Sequence, residues 1–381
     1  MSKRRGYGEG SVYRRKDGRW VATISVGYEN GKRNRKSFYG QSEREVIAQK
    51  TSALRSLQQG VPMADDSTTV EKFLLRWLDE SLRSTLRPRT LVSYEMIVRR
   101  HLIPMLGRTS LAKLSPEAVQ RYMNGKVESG LSARTVQYHH AVLRRALNQA
   151  MRWGSVARNV ASLVSPPRVR RPEVLPLSPA QARQFLDAAS GDRFEPVYTL
   201  ALTLGLRQGE VLGLAWRDID LDEGKLSVRH TLQRYSGSYH LDEPKTERSR
   251  RTIGIPAQLV GVLQDRRRRQ LEDQLKAGPA WNDNEWGLVF TTDAGNPLYG
   301  GAVTRRFQTI LKASGLPRQK FHDLRHACAS FMVAQHVPMR VVMEILGHSQ
   351  IHVTMNTYAH VMDDAQRDAT ERVSATIFGV S

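Results

Sequence analysis

Seven side chains in the second half of the chain have types that could act together on an anion. Thr203-Leu204-Gly205-Leu206-Arg207-Gln208-Gly209-Glu210-Val211-Leu212 places Arg207 at the start of a helical stretch, with Glu210 one turn later. Lys245 lies in Pro244-Lys245-Thr246, between runs that read as strands. His322-Asp323-Leu324-Arg325-His326 sets His322 and Arg325 at i and i+3, on one helix face. His348 follows Leu346-Gly347, where the glycine would cap a helix, and Tyr358 lies ten residues further on. A phosphodiester is the anion this set suits. Two arginines can hold its non-bridging oxygens and neutralise the charge that grows at a pentavalent phosphorus. His348 can add a hydrogen bond there. Tyr358 can attack in line and form a phosphotyrosyl link. His322 can accept the phenol proton, and Lys245 can protonate the leaving oxygen, a step worth typically ~10²–10⁴-fold. Glu210 would orient Arg207 or a histidine. Taken singly, each has an ordinary explanation: a helix ion pair, a turn lysine, structural histidines such as His326 and His352, and a core or surface tyrosine.

The elements that must position these groups are readable around them. Ser178-Pro179 caps a helix running to about Ala189, and a second helix covers roughly 194–205. Short strands are predicted near 225–232, 239–242 and 250–255, and helices near 256–276, 301–314, 322–335 and 338–346. Asp218-Ile219-Asp220-Leu221-Asp222-Glu223 reads as a turn before a strand. That reading argues against the carboxylate cluster a metal-dependent nuclease would need.

Two further units precede this region. Ser11–Arg14, Trp20–Val26 and Arg35–Tyr39 are strand-like and are joined by Asp17-Gly18 and Asn30-Gly31, both strong hairpin turns. Ser42-Glu43-Arg44-Glu45 is a capping box opening a helix to about Leu57, ended by Gly60 and Pro62. After a linker at 61–67, the periodicity predicts helices near 69–84, 89–103, 116–128 and 132–153, the second opened by Arg89 or Thr90 after Pro88 and the third by Ser115-Pro116. On the fourth, Val136, Leu143, Leu147, Ala150 and Met151 form the apolar stripe, and Arg134, Arg144, Arg145 and Arg152 the opposite face. Ser165–Pro172 is a second, proline-stiffened basic linker.

Charge separates these units. The chain carries +21 over 381 residues, of which residues 1–60 hold +9, 61–165 hold +8 and 166–381 only +4. With a pI near 10.4, the partner is a polyanion, most often nucleic acid. The residues expected to meet DNA are Arg14, Arg15, Arg19, Lys32, Arg35 and Lys36 in the sheet unit and Arg134, Arg144 and Arg145 in the helical one. Cys328 is the single cysteine, which rules out an internal disulfide framework and a multi-cysteine zinc site. No apolar stretch follows the basic first residues, and the longest apolar run, near Val197–Leu206, is too short to span a bilayer. The expectation is a cytoplasmic, nucleoid-associated protein with no membrane partner.

The order Arg207, Lys245, His322, Arg325, His348, Tyr358, with Glu210 three residues after the first arginine, resembles the tyrosine recombinase family, in particular phage-type integrases. Leu131–Val136 and Arg152-Trp153-Gly154 resemble the family's helical core-binding domain. Asn159-Val160 departs from the Asn-Pro common there and leaves the helix end open. The basic sheet resembles, more weakly, the arm-site-binding domain of integrases. The resemblance implies three domains: an arm-type DNA-binding domain at 1–60, a small three-stranded β-sheet plus one helix; an all-α helical-bundle core-binding domain at 68–165; and a mixed, mainly-α α+β catalytic domain at 173–381 with a C-terminal tail helix. It implies cleavage and rejoining of double-stranded DNA at attachment sites through a 3′-phosphotyrosyl intermediate, integrating phage or mobile-element DNA into a bacterial chromosome. It also implies a homo-tetramer working through a Holliday junction, accessory DNA-bending or directionality factors, and no metal, ATP or other cofactor. The alternatives are a type IB topoisomerase, against which the separate basic sheet argues, and a catalytically silent DNA-binding regulator, against which the complete residue set argues. In the tail, Val361, Ala365, Ala369, Val373 and Ile377 recur every four residues, with Phe378 beside the last, making an apolar stripe that needs a partner surface in the same chain or a neighbouring subunit.

Overall fold

The structure, a computed structural model, describes residues 10–29, 32–58, 68–169, 175–244, 246–283, 285–347, 373–375 and 377–379. It divides into two compact units, residues 1–171 and 172–381.

In the first unit, β1 (Ser11–Arg14), β2 (Trp20–Glu29) and β3 (Lys32–Gly40) form an antiparallel sheet in the order β1-β2-β3. Gly18, at φ +82°, makes the first turn. Val21, Ala22 and Ile24 are buried with Val46 of α1 (Glu43–Gln58). The Ser42 hydroxyl accepts the Glu45 N–H as a cap should, but the Glu45 carboxylate accepts from Gln41 N rather than returning to Ser42. The expected end of this helix, at Gly60 and Pro62, lies outside the described residues.

The helical part of this unit contains α2 (Val70–Arg76), continued by wider turns through Trp77–Leu82, and α3 (Pro88–Ile97), continued likewise through Val98–Leu102 into α4 (Ile103–Leu106). Pro88 is itself the first helical residue, so the expected start at Arg89 or Thr90 is one to two residues late. The proline lacks only an N–H that has no helical partner there. Ser115 and Ser132 cap α5 (Pro116–Glu128) and α6 (Ala133–Arg152) through their hydroxyls. Val136, Leu143, Leu147 and Ala150 face a core that includes Phe73, Trp77 and Leu102, but Met151 is exposed and does not belong to the stripe. Asn159, where the sequence leaves the helix end open, caps a short turn at Val160–Leu163. Its side-chain amide donates to the Arg144 carbonyl and to Asn148.

The second unit is mainly helical. Around a core containing Phe185, Tyr198, Phe307 and Phe321 stand α7 (Pro179–Ala189), α8 (Glu195–Leu204), α9 (Gln208–Leu212), α10 (Ala257–Ala277), α11 (Gly300–Ala313), α12 (Asp323–Ala334) and α13 (Met339–Leu346). β4 (Ile219–Asp220), β5 (Lys225–Val228) and β8 (Arg251–Gly254) form one antiparallel sheet, and β6 (Thr231–Tyr235) with β7 (Ser238–Asp242) a separate hairpin. The run 225–232, expected as a single strand, is therefore broken after Val228 and serves two sheets. Among the described residues no helix is long and apolar enough to cross a membrane.

Candidate active site

Arg207 sits at the N-cap of α9, in extended backbone, so its side chain projects from the helix start. One turn on, Glu210 turns back beneath it. One carboxylate oxygen accepts the Arg207 backbone N–H at 3.0 Å, and the other accepts Nη1 of the same arginine at 2.6 Å. Glu210 is 3% exposed, whereas the Arg207 side chain is 38% exposed. The carboxylate is thus internal and the guanidinium half open to whatever approaches. Burial pushes the Glu210 pKa up, but the charges of Arg251 and Arg207 and their hydrogen bonds outweigh it, leaving it below the usual range.

Arg325, in the first turn of α12, is 1% exposed. Its Nη1 donates to the Gly205 carbonyl at 2.7 Å and its Nη2 to the Leu346 carbonyl at 2.5 Å. It therefore ties the end of α8, two residues before Arg207, to the end of α13. Gly205 is left-handed at φ +63°, and a Cβ there would overlap Cδ2 of Leu346 and come within 3.3 Å of the Cys328 sulfur. Only glycine lets these helix ends meet.

His322 forms the N-cap of α12 rather than lying within it. The residue is exposed, and its ring meets His326 edge-on, 4.9 Å between centroids. Its pKa is lowered to about 4, first by desolvation and then by His326, Arg325 and Arg207. Near neutral pH it is uncharged, with a ring nitrogen able to accept a hydrogen bond. Arg207, Glu210, His322 and Arg325 lie in one region of the second unit. Lys245, His348 and Tyr358 lie outside the described residues.

One member of this cluster does not stand out in the sequence. Arg251, the first residue of β8, has a side chain only 6% exposed and donates from Nη2 to Glu210 at 3.0 Å, from Nε to the Ile345 carbonyl at 2.5 Å and from Nη1 to the Ser249 carbonyl at 3.0 Å. Its strand position is readable from the residues around it. Its partners, 41 and 94 residues away, are not.

Of the residues expected to meet DNA, Arg14, Arg15, Arg19 and Arg35 are exposed on the sheet unit, Lys36 is half-buried, and the Lys32 side chain lies outside the described set. Arg134, Arg144 and Arg145 are exposed on α6, with Arg145 donating to the Tyr94 hydroxyl at 3.3 Å.

Comparison with known proteins covers almost the whole chain. The sequence profile of the Phage integrase family matches residues 177–365, and that of the phage integrase N-terminal SAM-like domain matches residues 69–127. A tyrosine recombinase XerC-like protein of Caldanaerobacter subterraneus subsp. tengcongensis is 32% identical over 370 residues, covering 92% of this chain and 95% of its own. An integrase of Streptomyces ambofaciens is 32% identical over 369 residues, covering 94% of each. Among solved structures, the Tn1549 transposon integrase in complex with a circular intermediate DNA superposes with a TM-score of 0.67 at 25% identity, over 80% of this chain and all of that one. A lambda integrase tetramer bound to a Holliday junction shares the fold, with a TM-score of 0.55 at 19% identity over 93% of this chain and 96% of its own.

Proposed function

Because the chain belongs to the phage integrase family of tyrosine recombinases, we propose a division of labour among its residues for breaking and rejoining DNA. The protein is a site-specific DNA recombinase. The observation that carries the assignment of roles is the convergence of Arg207, Glu210, Arg325 and His322 within the stretch matched by the family profile.

The half-open guanidinium of Arg207 and that of Arg325 bind the non-bridging oxygens of the scissile phosphate and stabilise the charge that accumulates there in the transition state. Neutral His322 takes the Tyr358 phenol proton as the tyrosine oxygen bonds to phosphorus. The bond to the 5′ oxygen breaks, and Lys245 supplies that oxygen's proton. His348 donates a further hydrogen bond to the phosphate. The protein is left attached to the 3′ phosphate, and attack by a 5′ hydroxyl from the partner duplex reverses the step. The free energy of the broken bond is kept in the phosphotyrosine, so rejoining requires no nucleotide cofactor.

The domain plan follows the same reading. Residues 1–60 hold an arm-type site, 68–165 a core-binding bundle and 173–381 the catalytic domain. Linked modules gain avidity through effective concentration. The working form is a homo-tetramer on two duplexes, acting in the bacterial cytoplasm with accessory DNA-bending or directionality factors to insert mobile DNA into the chromosome. The relatives matched over nine tenths of both chains are a tyrosine recombinase and an integrase, so the topoisomerase reading is not carried further. The test is Tyr358→Phe, which removes one oxygen. On a nicked suicide duplex the variant binds DNA as the wild type does but forms no denaturant-resistant adduct. A persisting adduct would place the nucleophile elsewhere.

A further inference from the structure

We propose that Arg251 is a positioning residue of the reaction, keeping Arg207 in place and net cationic by sharing the Glu210 carboxylate. The inference rests on the assignment of Arg207 as a phosphate-binding group. Glu210 is almost wholly buried and makes a short contact to Arg207. A carboxylate paired with a single guanidinium forms a neutral couple, and a neutral couple has little attraction left for a phosphate. Arg251 changes that count. Its Nη2 binds the second carboxylate oxygen, so two cations share one anion and the trio keeps a net charge of +1. The buried cation also opposes the burial that would otherwise favour a protonated Glu210.

Arg251 is assigned to positioning by the acceptors it holds: Glu210, the Ile345 carbonyl and the Ser249 carbonyl, one to each of its three nitrogens. Its effect on the reaction passes through Glu210 and through the last turn of α13. The carbonyls of Ile345 and Leu346, in the last turn of α13, accept from Arg251 and Arg325 respectively. A Cβ on Gly347, left-handed at φ +66°, would come within 3.1 Å of Arg251 Nη1, so the chain approaches this arginine closely at the helix cap as well. One side chain thereby sets the height of Arg207 and the end of α13.

The experiment compares wild type, Arg251→Gln, Arg251→Lys and Arg266→Gln. Arg266 is another buried arginine of the same unit, bound to Val289 and Thr291 and apart from this cluster's contacts. Adduct formation is measured in a single turnover at saturating protein, on a suicide duplex with either a natural phosphodiester or a neutral methylphosphonate at the cleavage position. The expected result is that R251Q forms adduct about 10- to 100-fold more slowly on the phosphodiester, the range outer-shell partners command elsewhere, with unchanged DNA affinity. The deficit shrinks on the methylphosphonate, which carries no anionic oxygen for Arg207 to neutralise. R251K, which keeps the charge but not the three-way fork, lies between, and R266Q melts earlier without a slower rate per folded molecule. Should R251Q melt below the assay temperature, R251K decides through the same substrate comparison. Wild-type rates in either folded variant, or an equal deficit on both substrates, overturn the proposal. Absence of adduct with the wild type would instead overturn the recombinase assignment of roles.

Discussion

Replacing Gly205 by alanine should damage the second unit at one atom's cost, and the structure gives the size. Gly205 has φ +63°, a region that costs an L-residue roughly 1–2 kcal/mol. The new Cβ would overlap Cδ2 of Leu346 and press on the Cys328 sulfur. Leu346 has no room to retreat, because it is fully buried against Val342 and Ala329. Overpacking of this kind costs typically ~1–3 kcal/mol. Together the two terms come to about 2–5 kcal/mol, and at about 2–4 °C per kcal/mol for a domain of this size the melting transition should fall by roughly 4–20 °C. Gly315 supplies the control, since it has nearly the same φ, +66°, and nothing within 4 Å of its would-be Cβ. Gly315→Ala should show the backbone cost alone. The assay is differential scanning calorimetry of both variants, followed by adduct formation below the transition. Because the Gly205 and Leu346 carbonyls accept from Arg325, G205A should also cleave more slowly where it is still folded. A G205A protein that melts with G315A and cleaves at the wild-type rate would refute the argument.

Two other expectations concern the bundle and the tail. His139, buried and hydrogen-bonded to the Tyr122 hydroxyl at 2.9 Å, has its pKa lowered to about 4 by desolvation and by the neighbouring His101 and Lys126. The unfolded chain therefore takes up a proton below about pH 6.5 that the fold refuses. Stability contributed by this group is complete above about pH 6.5 and drains away towards pH 4, by at most ~1.4 kcal/mol per pH unit. Urea melts of wild type and His139→Phe between pH 7.5 and 5 should show a shallower loss in the variant, and parallel curves would disprove it. In the tail, Val373, Ile377 and Phe378 are 58%, 69% and 73% exposed, so the described end of the predicted stripe is bare in the single chain, while Val361, Ala365 and Ala369 lie outside the described residues. Removing residues 370–381 should leave binding to one half-site intact and reduce tetramers on DNA, seen by light scattering of the complexes. Undiminished tetramers, with a protein that aggregates alone, would place the stripe on its own domain.

Local chemistry is legible in the order of the residues alone. Ser115-Pro116, Ser132, Ser178-Pro179 and Gly347 each mark a helix end through their own backbone and hydroxyl groups, and each holds that place in the fold. The Arg207–Glu210 pair is readable for the same reason, since an N-cap residue and the third helical residue after it lie side by side whatever the rest of the chain does. Propensity could not tell that 225–232 breaks after Val228, because β5 pairs with β8 and β6 with β7, and those partners, not the residues themselves, decide where each strand stops. Met151 has the stripe's apolar character but not its contacts. Arg251 is the sharpest case. In the sequence it is one of 45 arginines. Its role comes from an acceptor on α9 and another at the end of α13, and only long-range packing brings a buried carboxylate and a helix C-terminus to the same guanidinium.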